Sequence, residues 1–148
     1  MQYDYITLLL GIQGFKVKHI EFTRCRGCSA IILDLERTKE GHRCGNCGQQ
    51  VQAGYDSIEE EVQHLTLWQH LTFLRFRRYR VNCPDCGIRA ETLDFVDIRG
   101  PRVTKHLAYL VAELCKVMTN KAVSIFQSLH RHTVKAIDKQ FLRKVQVS

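Results

Sequence analysis

Cys44-Gly-Asn-Cys47-Gly48 and Cys83-Pro-Asp-Cys86-Gly87 repeat one short pattern: two cysteines two residues apart, followed by glycine. Two residues between thiolates allow a single tight turn to aim both sulfurs at one tetrahedral ion. The glycine relieves the backbone where it takes positive φ. The sequence therefore predicts one structural zinc held by Cys44, Cys47, Cys83 and Cys86. With cysteine in all four positions there is no open place for an activated water, so the metal is expected to hold the fold without doing chemistry. The 35 residues between the knuckles are long for a minimal ribbon, and a β-hairpin rooted at both knuckles fills that length.

A third pair, Cys25-Arg-Gly-Cys28, is separated from Cys44 by 15 residues, a gap that also fits a four-cysteine pattern. No glycine follows Cys28, and pairing it with Cys44 and Cys47 would strand the well-formed second knuckle. Two readings stay open: a second metal shared with His19 or His42, or a turn of reduced thiols between two strands. Cys115 falls on an apolar face with Leu107, Leu110, Val111, Leu114 and Met118 and is expected to be a small buried hydrophobe.

Outward from the knuckles, residues 1–100 read mainly as strands. Tyr3 to Gly14 is a short helix closed by glycine, and Phe15 to Phe22 alternates apolar and polar residues with the period of a strand. Ala30 to Glu36 is a second strand, and Glu61 to Val81 holds two more with a turn at Trp68-Gln69. Within the last, Phe73-Leu-Arg-Phe-Arg-Arg-Tyr-Arg80 interleaves four arginines with aromatics. That composition suits a supplementary nucleic-acid contact and equally a half-exposed strand. Glu59-Glu-Glu61 reads as an exposed, solvated turn.

Gly100-Pro101 breaks the chain, and beyond it the apolar period changes from about two to about 3.6. The expected fold is α+β: a β-rich zinc-ribbon domain over 1–100, then an all-α helix-turn-helix module over 101–148. Thr104 to Met118 is the first helix; Thr119 caps a second over Asn120 to Gln127; a turn at Ser128 to Arg131 leads to a third from His132 or Thr133, with Val134 locking it onto the core. A major groove admits one α-helix, and a second helix braced across it sets the entry angle. Arg131, His132, Thr133 and Lys135 are the candidates for base edges, with Lys139, Arg143 and Lys144 better placed for phosphates.

The charge distribution agrees. Residues 101–148 carry nine Lys/Arg against Glu113 and Asp138, and so hold the whole net charge of +7. A phosphate backbone attracts such a module. No apolar run approaches the ~18 residues that cross a bilayer, and Met1 to Gly14 lacks the flank and cleavage site of a signal peptide. A cytoplasmic protein away from the membrane is expected, and in that reducing setting cysteine pairs favour zinc over disulfides.

Taken in order, the Cys44 knuckle, Val62-Gln-His-Leu65, the arginine-rich strand running into Arg80-x-x-Cys83-Pro-x-Cys86-Gly, and the helices ending in Thr133-Val-Lys-Ala-Ile-Asp-Lys139 resemble the N-terminal region of ISL-three family insertion-sequence transposases, over roughly residues 8–145. The resemblance implies recognition of terminal repeats in double-stranded DNA, and as protein partners a second copy or a catalytic transposase subunit. In that family an RNase H-like catalytic domain follows; with the sequence ending at Ser148, the chain is expected not to be an enzyme. It departs from the family pattern at Arg131, where tryptophan is frequent, at Ser128, where glycine is customary, and in the added Cys25 and Cys28. Competing functions are a stand-alone helix-turn-helix transcription regulator and a zinc-ribbon protein-interaction module; salt-dependent duplex binding separates DNA readers from the latter.

Overall fold

The computed structural model describes residues 3–97 and 100–147, with side chains as far as Leu142. It is α+β. Helix α1 (Asp4–Leu10) ends at Gly11, whose φ of 67° sets the left-handed cap, one turn earlier than a stop at Gly14. Strands β1 (Phe15–Cys25) and β2 (Cys28–Arg37) form an antiparallel hairpin. Its two-residue loop, Arg26-Gly27, has positive φ at both positions (53° and 77°), the backbone that matches the right-handed twist of the flanking strands. Cys25 and Cys28 are therefore cross-strand neighbours closing a turn, and they pack on Ala30, Ile32, Leu71 and Phe73.

The short strands β3 (His42–Arg43) and β4 (Gln50–Val51) pair around the first knuckle. The long strands β5 (Asp56–Leu67) and β6 (His70–Cys83) form the second major hairpin, turning at Trp68-Gln69 as the sequence predicts. β5 begins before Glu61, because Asp56, Glu59 and Glu61 lie opposite Arg80, Arg77 and Arg75, and Glu60 pairs diagonally with Arg78, so that these carboxylates are stabilised there as strand. β7 (Gly87–Ala90) pairs with the far end of β6. The main sheet runs β1-β2-β6-β5, and β2 and β6 are parallel, with Ala30 opposite Leu71 and Asp34 opposite Arg75.

Alternation along the strands sends Ile31, Leu33, Leu35, Leu74 and Phe76 to one face, where Leu10, Phe15, Leu93, Phe95 and Val96 cover them. The rings of Phe15, Phe76 and Phe95 meet edge to face, with centroids 5.2–5.9 Å apart. A separate core binds the helices: Val103, Leu107, Val111, Val123, Val134 and Ile137 are buried together.

Helix α2 (Lys105–Leu114) starts at Thr104, whose hydroxyl accepts the Leu107 N–H at 3.2 Å. It ends before Met118, and the following turns run into Thr119. Thr119 caps α3 (Asn120–Phe126) by accepting the Ala122 N–H at 3.1 Å. Helix α4 (Arg131–Val147) begins one residue earlier than the periodicity suggests. Among the described residues no helix is long and apolar enough to cross a membrane.

Candidate metal centre and nucleic-acid interface

Each knuckle is the turn of its own hairpin. The first is closed by the Cys44 N–H donating to the Gln49 carbonyl and the Gly48 N–H to the Cys44 carbonyl, both 2.9 Å; the second lies between β6 and β7, with Cys83 opposite Gly87. Gly48 and Gly87 both take positive φ, 78° and 79°, which is why glycine follows each pair. Backbone bonds from Gly45 to Ala90 and from Thr92 to Arg43 hold the hairpins against each other.

The sulfurs of Cys44, Cys47, Cys83 and Cys86 consequently lie within 4.8 Å of one another, and Cys47 and Cys83 are 3.6 Å apart. A tetrahedron with Zn–S bonds of about 2.3 Å has edges of about 3.8 Å, so the cluster fits zinc. The sulfurs also perturb one another's ionisation. N–H groups of Cys47 and Asn46 draw the Cys44 thiol down to about 7. Cys47 also receives a backbone bond, from Gln49, yet burial and the three neighbouring sulfurs push it up to about 12. Four thiolates so close repel one another unless a cation lies among them. Asn46 Nδ2 donates to the Cys86 sulfur at 3.3 Å and helps orient it.

One residue that fastens this centre to the sheet gave no signal in the sequence. Glu91 is 1% exposed and bridges to Cys44 through the backbone. Its carboxylate accepts from Arg37, from His42 Nδ1 at 2.7 Å and from the Tyr79 N–H at 2.9 Å. Arg37 in turn stacks on Phe15 and Tyr79, 5.1 and 4.8 Å from their ring centres. A glutamate following two residues of ordinary strand carries no mark of this role; only the tertiary fold closes the network.

Glu59 to Glu61 belong to strand β5 rather than to a solvated turn. Arg75 lies within salt-bridge reach of Glu59, Glu61, Glu21 and Asp34, Arg78 of Glu60, and Arg80 of Asp56. Phe73 and Phe76 are buried, and Arg77 bonds Ser57. The arginine-rich stretch is thus a half-exposed strand with its charges committed across the sheet.

Val62-Gln-His-Leu65 joins sheet to helices. Gln63 receives the Thr104 N–H at 2.9 Å on its carbonyl, and its Nε2 donates to the Gln127 carbonyl at the end of α3 (3.0 Å). Thr104 hydroxyl donates to His64 Nδ1 at 2.8 Å, while Leu65 packs on the helical core. That bond needs an unprotonated Nδ1. Burial, then the charge of His106, draws His64 down to about 4, which keeps it neutral.

In the helical region Val134 and Ile137 are fully buried, while Arg131, His132, Lys135 and Lys139 are exposed on α4 and Thr133 is half-buried. The side chains of Arg143 and Lys144 lie outside the described residues. Ser128 takes φ 52°, a left-handed conformation that favours glycine. Cys115 is half-buried, and burial raises its thiol.

Residues 40–86 match the zinc-finger of transposase IS204/IS1001/IS1096/IS1165. Over 134 residues, 90% of the chain, it is 31% identical to the transposase for insertion sequence element IS1001 of Bordetella parapertussis. The chain is similar to the ISL-three family transposases. It spans about a third, 32%, of the length of that relative. No solved structure matches it. The zinc ribbon read from the cysteine spacing, and the family resemblance read from the order of the motifs, are thereby borne out.

Proposed function

We propose that this chain is the DNA-recognition region of an insertion-sequence transposase, reading terminal repeats through α4. The observation that carries the reading is the arrangement of α3 and α4. A threonine-capped short helix and a turn at Ser128 precede a helix whose one side, Val134 and Ile137, is buried and whose other side presents Arg131, His132, Lys135 and Lys139. This arrangement supports reading α3 and α4 as a helix-turn-helix, in which the N-terminal residues of the second helix meet base edges. Residues 101–148 form that module, braced on the zinc-ribbon domain through Gln63 and His64. The four cysteines hold a structural zinc that keeps the ribbon rigid. The region works in the cytoplasm as a second-copy dimer or beside a catalytic transposase subunit, and it carries no strand-cutting chemistry of its own.

Binding to duplexes selected from a random pool tests this. Arg131→Ala or Lys135→Ala should relax base preference at individual positions, each by about 1–3 kcal/mol. Lys139→Ala should weaken all sequences alike and lower the salt slope by about one. If all three variants bind every duplex as the parent does, α4 is a solvated face and the interaction-module reading replaces this one.

A further inference from the structure

The β1–β2 and β5–β6 turns lie at the same end of the sheet, because β2 and β6 run parallel and both begin there. Ser29 Oγ meets His70 Nδ1 at 2.5 Å across the start of those two strands, and Phe22 stacks edge-on against His70 with centroids 6.4 Å apart. This end of the sheet abuts the helical module: Arg26, in the first turn, donates to the carbonyl of Ser128, in the turn before α4. Arg24 donates to the Gly27 carbonyl at 3.0 Å, which holds a second guanidinium at the same tip.

Trp68, the single tryptophan of the chain, stands at the other tip and is 87% exposed. Across residues 22–29, 65–72 and 127–135 there are Arg24, Arg26, Arg131 and Lys135 and not one Asp or Glu. Elsewhere on the sheet each arginine of β6 faces an acidic or hydroxyl partner. Uncompensated positive charge beside a bare indole suits a polyanion with stackable or grooved edges.

Distance decides how such a polyanion is met. Ser128 is three residues from Arg131, so Arg26 lies within about 10 Å of chain reach of the first turn of α4. The major groove is about 12 Å wide. A helix seated in that groove by its N-terminus therefore brings one phosphate wall against the tips. We propose that the two hairpin tips are a second duplex-DNA contact, with Arg24 and Arg26 on the phosphates bordering the groove that α4 reads and Trp68 against the adjoining backbone. This rests on the reading of α4 as the helix that enters the groove.

The test uses the full chain with zinc and a fluorescein-labelled duplex of about 30 base pairs, roughly three helical turns. Anisotropy reports binding, and the emission of Trp68 reports the tip without any substitution. Saturating duplex should quench and shift that emission. Arg24→Ala/Arg26→Ala, at exposed positions, should lower the slope of log K against log salt by about 1.8, the release for two phosphates. Arg89→Ala, at the zinc end, should leave the slope as it is. Unchanged Trp68 emission at saturation overturns the proposal. So does an unchanged slope in the double variant, an equal fall in Arg89→Ala, or better competition by single-stranded RNA than by duplex. In each of these cases duplex binding through α4 still stands. No duplex binding at all would instead overturn the reading of α4 and this one with it.

Discussion

Removing the Glu91 carboxylate should be among the most damaging single changes available in the sheet. Glu91→Ala deletes an acceptor for Arg37, His42 and the Tyr79 N–H at once. It leaves a guanidinium that is only 22% exposed without its counter-charge. Breaking a buried pair from one side costs about 3–5 kcal/mol, and the partial exposure of Arg37 puts the expectation at the lower end, about 3 kcal/mol. For a chain of this size that lowers the melting temperature by roughly 6–12 °C. Replacing both charges, Arg37→Met with Glu91→Leu, should recover part of the loss, because methionine still fills the space between Phe15 and Tyr79 and the guanidinium is no longer orphaned, while the Tyr79 N–H still lacks its acceptor. Thermal or urea unfolding of the zinc-loaded wild type, Arg37→Met, Glu91→Leu and the double closes the cycle, with Glu91→Ala measured beside it. The reasoning fails if Glu91→Ala melts within about 2 °C of the parent, or if the double variant is as damaged as the two singles added together.

Chelating the zinc, or Cys83→Ser, should unfold the ribbon, since much of its folding free energy comes from the metal; metal analysis should find one zinc per chain, and a chain purified zinc-free with an unaltered circular dichroism spectrum would refute it. Stability should fall on acidification through His64: its folded value, about 4, lies below the unfolded value of about 6.5, so its contribution is full above about 6.5 and is lost as pH drops to about 4, by up to about 3 kcal/mol. His64→Gln should flatten that window, and an unchanged slope between pH 4 and 6.5 would count against it. With magnesium or zinc supplied, the chain by itself should neither nick nor join DNA, which a supercoiled-plasmid assay checks; cleavage abolished by substituting one of its own acidic residues would overturn this.

Those parts of the molecule governed by local chemistry were legible in the sequence. Cys-x-x-Cys-Gly needs only its own turn, and Thr104 and Thr119 cap helices through N–H groups three residues away. Trp68-Gln69 is a turn because the strands on either side alternate in phase. Illegible features depend on which strand lies beside which. The sequence holds no sign that β2 runs parallel to β6, and so none that the two hairpin tips share an end or that Arg26 reaches Ser128. Glu59 to Glu61 read as a solvated turn because three consecutive carboxylates break alternation; ion pairs with Arg75 and Arg78 across the hairpin supply what the pattern lacked. Glu91 is the same lesson in one residue, for its three partners come from positions 12 to 54 residues away.

The parallel pairing of β2 with β6 also orders the events of folding. Each hairpin closes on itself through a two-residue turn, a step of microseconds. Joining them side by side brings Ala30 to Leu71 across a long intervening chain, and nothing local assists that closure. The seam between the two hairpins is thus expected to be the rate-limiting contact in folding. Truncating Leu33 or Leu74 on either side of it should slow refolding, whereas truncating Ile137 in the helical core should mainly hasten unfolding, and stopped-flow chevrons would expose any reversal of that order.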